Sequence, residues 1–145
     1  MPVAHINLLK GHSRDALRRV IVDVSEAMST ILEAPKDRLF VWITEHDHHL
    51  WGLGGAPADE ALAHGTLAQL ETPFVQMVLM DGRPKAQWHA IIAAVTGAVA
   101  AGTGCDKAKI RIHIAPANPD GWGIGGVPAS VLRAAEIAAR ARGAA

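Results

Sequence analysis

The chain has a single cysteine, Cys105, so it has no internal disulfide framework, which fits a reducing, cytoplasmic setting. It has no excess charge of either sign, with 14 Lys and Arg against 14 Asp and Glu, so neither nucleic acid nor an anionic membrane is expected as a partner. It also lacks a long apolar run. Residues 90–102 are too few and too small to span a bilayer. Lys10, Arg14, Arg18 and Arg19 break up the first apolar stretch, so no signal peptide is read there. What remains is a globular composition, 50% hydrophobic and 19% charged over 145 residues.

The chain says nearly everything twice. An offset of 71, without a gap, aligns Pro2-Val3-Ala4 with Pro73-Phe74-Val75, Gly11 with Gly82 and Pro57 with Pro128. The ends of the two copies are most alike: Trp51-Gly52-Leu53-Gly54-Gly55-Ala56-Pro57 against Trp122-Gly123-Ile124-Gly125-Gly126-Val127-Pro128. The organisation read from this is a first repeat over 2–57, a linker over 58–72, a second repeat over 73–128 and a helical tail over 129–145. A repeat of roughly 60 residues buries too little core to stand alone, so the two halves share one.

Each copy reads as strand, helix, strand. Residues 2–9 are rich in Val, Ile and Leu and form a strand. Ser13 caps a helix on which Leu17, Val20, Ile21, Val24, Met28 and Ile31 recur at helical spacing, up to Ala34-Pro35. Residues 39–44 are the second strand, 45–49 a polar loop and 51–57 a glycine-rich hairpin. In the second copy, 74–80 and 108–115 are the strands, Pro84 is the first helical residue, and Trp88, Ile91, Ile92, Val95 and Val99 share a helix face. The linker is read as partly helical, and the tail as a helix on the surface or at an oligomer contact. A helix between two strands of one sheet makes a parallel crossover. The fold class is therefore α/β (α+β): two fused β-α-β units in a four-stranded sheet, both helices on one face. The other face is left apolar and uncovered, for packing against further copies.

The first copy resembles the short monomers of the 4-oxalocrotonate tautomerase family. Pro2-Val3-Ala4, Leu9-Lys10-Gly11, Val24-Ser25-Glu26-Ala27, Leu32-Glu33-Ala34-Pro35, Val41-Trp42-Ile43-Thr44-Glu45 and Gly52-Leu53-Gly54-Gly55 carry the likeness. The second copy resembles the same monomers more distantly. The chain is thus similar to a fused, two-copy member of the tautomerase superfamily. The resemblance implies an isomerase without cofactor or metal. In such an enzyme an amino-terminal proline is the base, two arginines hold the oxygens of a small carboxylate-bearing substrate, and an aromatic residue near the hairpin lines the pocket. It further implies a homotrimer of fused chains imitating a hexamer of short ones.

Carried over position by position, the resemblance splits. Pro2 matches the proline and lies in the first copy. The turn arginine is His12 in the first copy but Arg83 in the second, and the second-strand arginine is Phe40 in the first but Arg111 in the second. The hairpin aromatic is present twice, as Trp51 and Trp122. Pro73 is an amide inside the chain and has no basic nitrogen. The implied catalytic set is therefore Pro2, Arg83 and Arg111, with Trp51 and Trp122 as substrate-binding residues.

Chemistry supports that set independently. A free α-amine titrates near ~7.7–8.0, and burial beside two guanidinium groups lowers its pKa towards the range of an efficient base. The arginine forks suit carboxylate and enolate oxygens. Arg111 is read as lying inside an apolar strand, where an unpaired charge is costly. His12 is read as a surface histidine, and Glu45-His46-Asp47-His48-His49 as a polar loop whose spacing fits no metal motif. A water-activating, dehalogenase-like lyase of the same superfamily ranks lower, because the positions of its extra carboxylate and arginine hold Leu53, Ile124, Leu9 and Met80. A non-catalytic binding or assembly role is the reading if Met1 stays in place.

Overall fold

The protein was examined as a computed structural model that describes residues 1–143. Strand β1 (Val3–Leu9) turns its buried Ala4, Ile6 and Leu8 towards the helices. Helix α1 (Arg14–Leu32) starts where the Ser13 hydroxyl accepts the Ala16 N–H at 3.1 Å. Its buried residues Val20, Val24, Met28 and Leu32 form one stripe at a four-residue spacing. The helix stops at Glu33, which takes the left-handed conformation at φ 51° and donates its N–H to the Ser29 carbonyl.

Strand β2 (Phe40–His46) follows, then the hairpin β3 (Gly52–Leu53) and β4 (Ala56–Pro57). The segment between the copies holds the short helices α2 (Ala58–Leu62) and α3 (Leu67–Leu70). The second copy repeats the order as β5 (Phe74–Met80), α4 (Lys85–Thr103), β6 (Arg111–Ala117) and the hairpin β7 (Gly123–Ile124) and β8 (Val127–Pro128). The chain ends in α5 (Ala129–Leu132) and α6 (Ala134–Gly143); Ala144 and Ala145 of the expected tail lie outside the described residues.

The sheet order is β2-β1-β5-β6, parallel within each copy and antiparallel between β1 and β5 at the centre. The expected architecture of two β-α-β units is what forms. Helices α1 and α4 pack on each other and on one sheet face, closing a core of Ile6, Leu8, Val24, Met28, Val75, Met77, Leu79, Ile91 and Val95. Each fully buried side chain of this size stabilises by about 1.5–3 kcal/mol. The duplication extends to the backbone: the Phe40 N–H donates to the Pro2 carbonyl at 3.2 Å, and the Arg111 N–H to the Pro73 carbonyl at 3.0 Å. Likewise Ala58 to Trp51 and Ala129 to Trp122 both close at 2.8 Å.

Several boundaries differ from the sequence reading. Strand β2 runs to His46, because β1 is seven residues long and pairs along its whole length, from Val3↔Phe40 to Leu9↔His46. Strand β6 begins at Arg111, not at 108, because the Asp106 carboxylate accepts the Ala108 N–H at 2.9 Å and holds Lys107–Lys109 in a tight turn. Arg111 is therefore the exposed first residue of an edge strand, not a charge inside an apolar one. Pro84 is the residue before α4, not its first. Ile21 and Ile92, expected on the buried stripes, are 36% and 37% exposed. The face without helices is mixed: Phe40 and Trp42 are 49% and 44% exposed, beside the polar side chains of His5, Gln76 and His113.

Helices α1 and α4 approach each other closely at Gly102. A Cβ built there would lie 2.3 Å from Cγ2 of Val20, a stiff and fully buried side chain, whereas one at Gly97 meets nothing within 4 Å. Within a helix, Gly→Ala normally gains about 0.8–1 kcal/mol. Urea unfolding of both variants should show Gly97→Ala gaining stability by about that amount. Gly102→Ala should instead lose at least 1 kcal/mol, as overpacked sites do.

Candidate active site

Because β1 and β5 run antiparallel, the start of β1 lies beside the end of β5 and the turn that follows it. A cavity of about 70 Å³ opens there, lined by Met1, Pro2, Glu33, Ala34, Pro35, Arg38, Met80, Arg83, Ile124, Arg133, Glu136, Ile137 and Arg140. Both copies contribute to it, together with the tail. Four guanidinium groups face two carboxylates across this space, an excess of two positive charges.

Arg83 is fixed by its surroundings. One terminal nitrogen donates to the Leu32 carbonyl at 2.9 Å and to Gln87 Oε1 at 3.1 Å, while its buried Nε has no partner among the described residues. Desolvation first, and then the charge of Arg140, push its pKa down to about 10, with Glu33 opposing. It remains a cation at neutral pH. Arg38 holds Glu136 through one terminal nitrogen, at 3.1 and 3.0 Å from the two carboxylate oxygens, and Arg133 lies 3.9 Å from the same carboxylate. The α-ammonium of Met1 is held below its ordinary value of 8.0, chiefly by burial and then by Arg83, Arg140, Arg133 and Arg38.

The structure brings together Pro2 and Arg83 but not Arg111. Arg111 pairs with Phe74, which stands opposite Asn7, five residues along β1 from Pro2. That is roughly 17 Å along the strand, with two strand spacings added across it. Its guanidinium donates to the carbonyls of Ala108 and Ile110 at 2.7 and 3.1 Å. Neither Trp51 nor Trp122 lines the cavity, although Ile124, in the hairpin that follows Trp122, does. Trp51 packs edge-on against His46, with ring centroids 5.0 Å apart.

The mirrored end of the sheet, around Pro73, is built differently. His12 is not a surface residue; its side chain is 7% exposed and its Nε2 lies 2.8 Å from Glu71, whose side chain is fully buried. The other Glu71 oxygen accepts the Leu9 N–H at 2.8 Å. Glu71 comes from the linker, immediately after α3. In the 45–49 segment, His46 Nε2 lies 2.9 Å from Asn7 Oδ1, His48 Nε2 lies 2.6 Å from the Lys10 carbonyl, and Asp47 pairs with Lys10.

Sequence reasoning missed Glu71, Arg38, Arg133 and Arg140. A signal was present for the last two: Arg133, Ile137 and Arg140 recur at the four- and three-residue spacing of one helical face in a segment otherwise rich in alanine. Nothing local marked Glu71, since its partners lie 59 and 62 residues away.

Comparison with known proteins agrees with this architecture. The family model described as "Tautomerase enzyme" matches the chain twice, at residues 2–60 and 73–131. A 2-hydroxymuconate tautomerase of Pseudomonas fluorescens is 43% identical over 60 residues, covering 41% of this chain and 95% of that protein. One of Comamonas testosteroni is 37% identical over 60 residues, with the same coverage of 41% and 95%. Among solved structures, a native fused 4-OT superposes with a TM-score of 0.80 at 25% identity, covering 90% of this chain and 98% of that one. A fused 4-OT described as an asymmetric trimer superposes with a TM-score of 0.78 at 27% identity, again covering 90% and 98%.

The Glu71 contacts make the mirrored end sensitive to one change. Glu71→Ala leaves the Leu9 N–H and the His12 ring without their partner in a buried place, at about 1–3 kcal/mol for each donor. Denaturant titration should show a loss of that order for Glu71→Ala, and less than 0.5 kcal/mol, about the usual surface effect, for the exposed Glu60→Ala.

Proposed function

Because this chain belongs to the tautomerase family, a family of isomerases, we propose that it is a cofactor-independent tautomerase of small 2-hydroxy- or 2-oxo-dienoate acids that uses Pro2 as its base. The observation that carries this reading is the shared cavity, in which Pro2 and Arg83 from opposite copies meet. The name 2-hydroxymuconate tautomerase, borne by several relatives, suggests the substrate class.

Removal of Met1 does two things in this reading. It turns the Pro2 nitrogen into a secondary amine, and it vacates space in a cavity that, with Met1 in it, is smaller than the ~300–1,000 Å³ usual for ligand pockets. The freed amine inherits the field that depresses the Met1 ammonium, namely burial and the surrounding arginines. That field opposes its protonation and so favours the free base. It takes the enol O–H proton, the arginines hold the oxyanion of the resulting dienolate, and the prolinium returns the proton to a carbon, leaving the ketone.

Arg111 completes this set only when it comes from a neighbouring copy. It lies at the far end of its own sheet, on an exposed edge strand, and the face without helices carries Phe40 and Trp42 to the surface. We read the protein as a trimer of fused chains with three Pro2 sites, and each chain as two repeats over 2–57 and 73–128 joined by a linker. The Pro73 end is not counted as a site, because it offers no amine and Glu71 fills it.

With Met1 removal checked by intact mass, Pro2→Ala should lower 2-hydroxymuconate turnover by about 10²-fold or more. Pro73→Ala should leave it nearly unchanged. Equal effects of the two changes would end the proline mechanism. The acid limb of kcat/KM, which reports protonation of the free amine, should lie below pH ~8. Arg83→Ala removes a neighbouring positive charge, so the amine pKa rises and that limb moves to higher pH. Arg83→Ala and Arg111→Ala should each cost about 10- to 100-fold in kcat/KM, the scale of a lost charge-assisted hydrogen bond. The mirrored His12→Ala and Phe40→Ala should act on stability instead. Light scattering that finds a monomer at micromolar concentration would contradict the trimer.

A further inference from the structure

The two copies carry equivalent segments after their hairpins, and these segments fill the two ends of the sheet in opposite ways. Ala58 and Ala129, 71 positions apart, open both segments and are both fully buried. The linker then delivers a carboxylate to its end of the sheet, where Glu71 sits against the Leu9 N–H and His12. At the other end, the residues aligned with Leu9 and His12 are Met80 and Arg83, and both line the Pro2 cavity. Glu33 lines that cavity too and acts on Arg83 through its charge, but among the described residues no carboxylate pairs with Arg83 as Glu71 does with His12. The tail brings Arg133, just before α6, and Ile137 and Arg140 of α6 to the cavity instead.

We propose that Arg140 is a substrate-binding residue: with Arg83 it forms a carboxylate site in the Pro2 cavity, at the place that Glu71 marks in the mirrored half. The inference rests on the tautomerase reading above and adds a substrate determinant from the tail. Arg140 lies beyond both stretches matched by the family model, which end at residues 60 and 131.

The charges of the tail separate the roles of its arginines. Arg133 lies near Glu136, whose carboxylate is already held by Arg38. That trio anchors α6 to the turn before β2. Arg140 pairs with no carboxylate among the described residues, yet it lines the cavity with Arg83, and its charge acts on Arg83 and on the terminal ammonium. With Glu136 taken up by Arg38, Glu33 is the one other carboxylate among the lining residues, and the repulsion that it leaves between the guanidinium groups of Arg83 and Arg140 is relieved by a further anion between them. A dicarboxylate supplies that anion while its reacting end stays beside Pro2, so the site favours dianionic over monoanionic enols. Ile137 gives the intervening wall an apolar patch against which the carbon chain can lie.

The test separates binding from turnover. Titration calorimetry of the Met1-free protein with cis,cis-muconate, an unreactive dicarboxylate, should give a Kd at least tenfold weaker for Arg140→Ala than for wild type. Arg140→Lys should recover part of the loss, and Arg142→Ala, at an exposed position of the same helix, should stay within twofold. With 2-hydroxymuconate the loss should fall mainly on KM, and with enol-phenylpyruvate, a monocarboxylate, it should be under threefold. The acid limb of kcat/KM should move to higher pH, a change that a merely structural role of Arg140 would not produce. Unchanged muconate affinity, or equal losses on both substrates, overturns the proposal. Arg140-dependent muconate binding without turnover of either enol leaves the carboxylate site standing and removes the tautomerase reading.

Discussion

The antiparallel pairing of β1 with β5 governs the rest of the molecule. It joins the two copies within the sheet, and it sets the beginning of each copy against the end of the first strand of the other. Had the copies joined in parallel, Pro2 would have stood near the start of β5, and Arg83 would have been at the far end. With the observed register, Val3 opposite Val78, the start of the chain meets Met80 and Arg83. The same pairing brings α1 and α4 together on one face, where a close approach at Gly102 locks them. One sheet junction therefore positions both the core and the cavity.

Duplication then frees the two ends of the sheet from having to be alike. In a dimer of identical short chains, a change that improves one end is imposed on the other. Here the first copy carries His12 where the second carries Arg83, and the linker supplies Glu71 as its buried partner. A carboxylate fully removed from water is costly unless its oxygens are satisfied. Glu71 meets that condition with two donors, the Leu9 amide and the His12 ring. The end near Pro73 is thereby satisfied from within and becomes part of the framework. The end near Pro2 keeps its unsatisfied positive charge.

Much of this could be read from the sequence, for reasons that can be stated. The 71-residue offset, the β-α-β order and the stripes Val20–Val24–Met28 and Ile91–Val95–Val99 are local periodic signals, and local geometry obeyed them. The boundaries of β2 and β6 were harder. Glu45 and His46 look like loop residues, but an edge strand tolerates polar side chains, and a seven-residue neighbour offers hydrogen bonds to its full length. Arg111 looked like an interior charge until the Asp106 turn shifted the start of β6. Glu71 was invisible because its role depends on residues some sixty positions away, which no periodicity reports. The tail was visible as a helix but not as a wall of the cavity, since an alanine-rich helix with spaced arginines looks the same on open solvent as over a pocket.

In the proposed reading, the positive charge around Pro2 and the chemistry at its nitrogen support each other. Positive neighbours favour the free amine, because they oppose its protonation, and the Met1 ammonium shows the direction of that effect. The same neighbours favour an anionic substrate and an oxyanion that gathers charge as the proton leaves. Both demands are met by one field, provided the cations cannot relax towards carboxylates of their own. Arg38 and Arg133 are tied to Glu136 and serve mainly to hold α6 in place. Arg83 is clamped by the Leu32 carbonyl and Gln87, both uncharged, so its positive charge is directed without being neutralised. In the proposed reading, a guanidinium fixed by neutral acceptors, beside an amine whose protonation its charge opposes, suits a proton shuttle on a carboxylic acid.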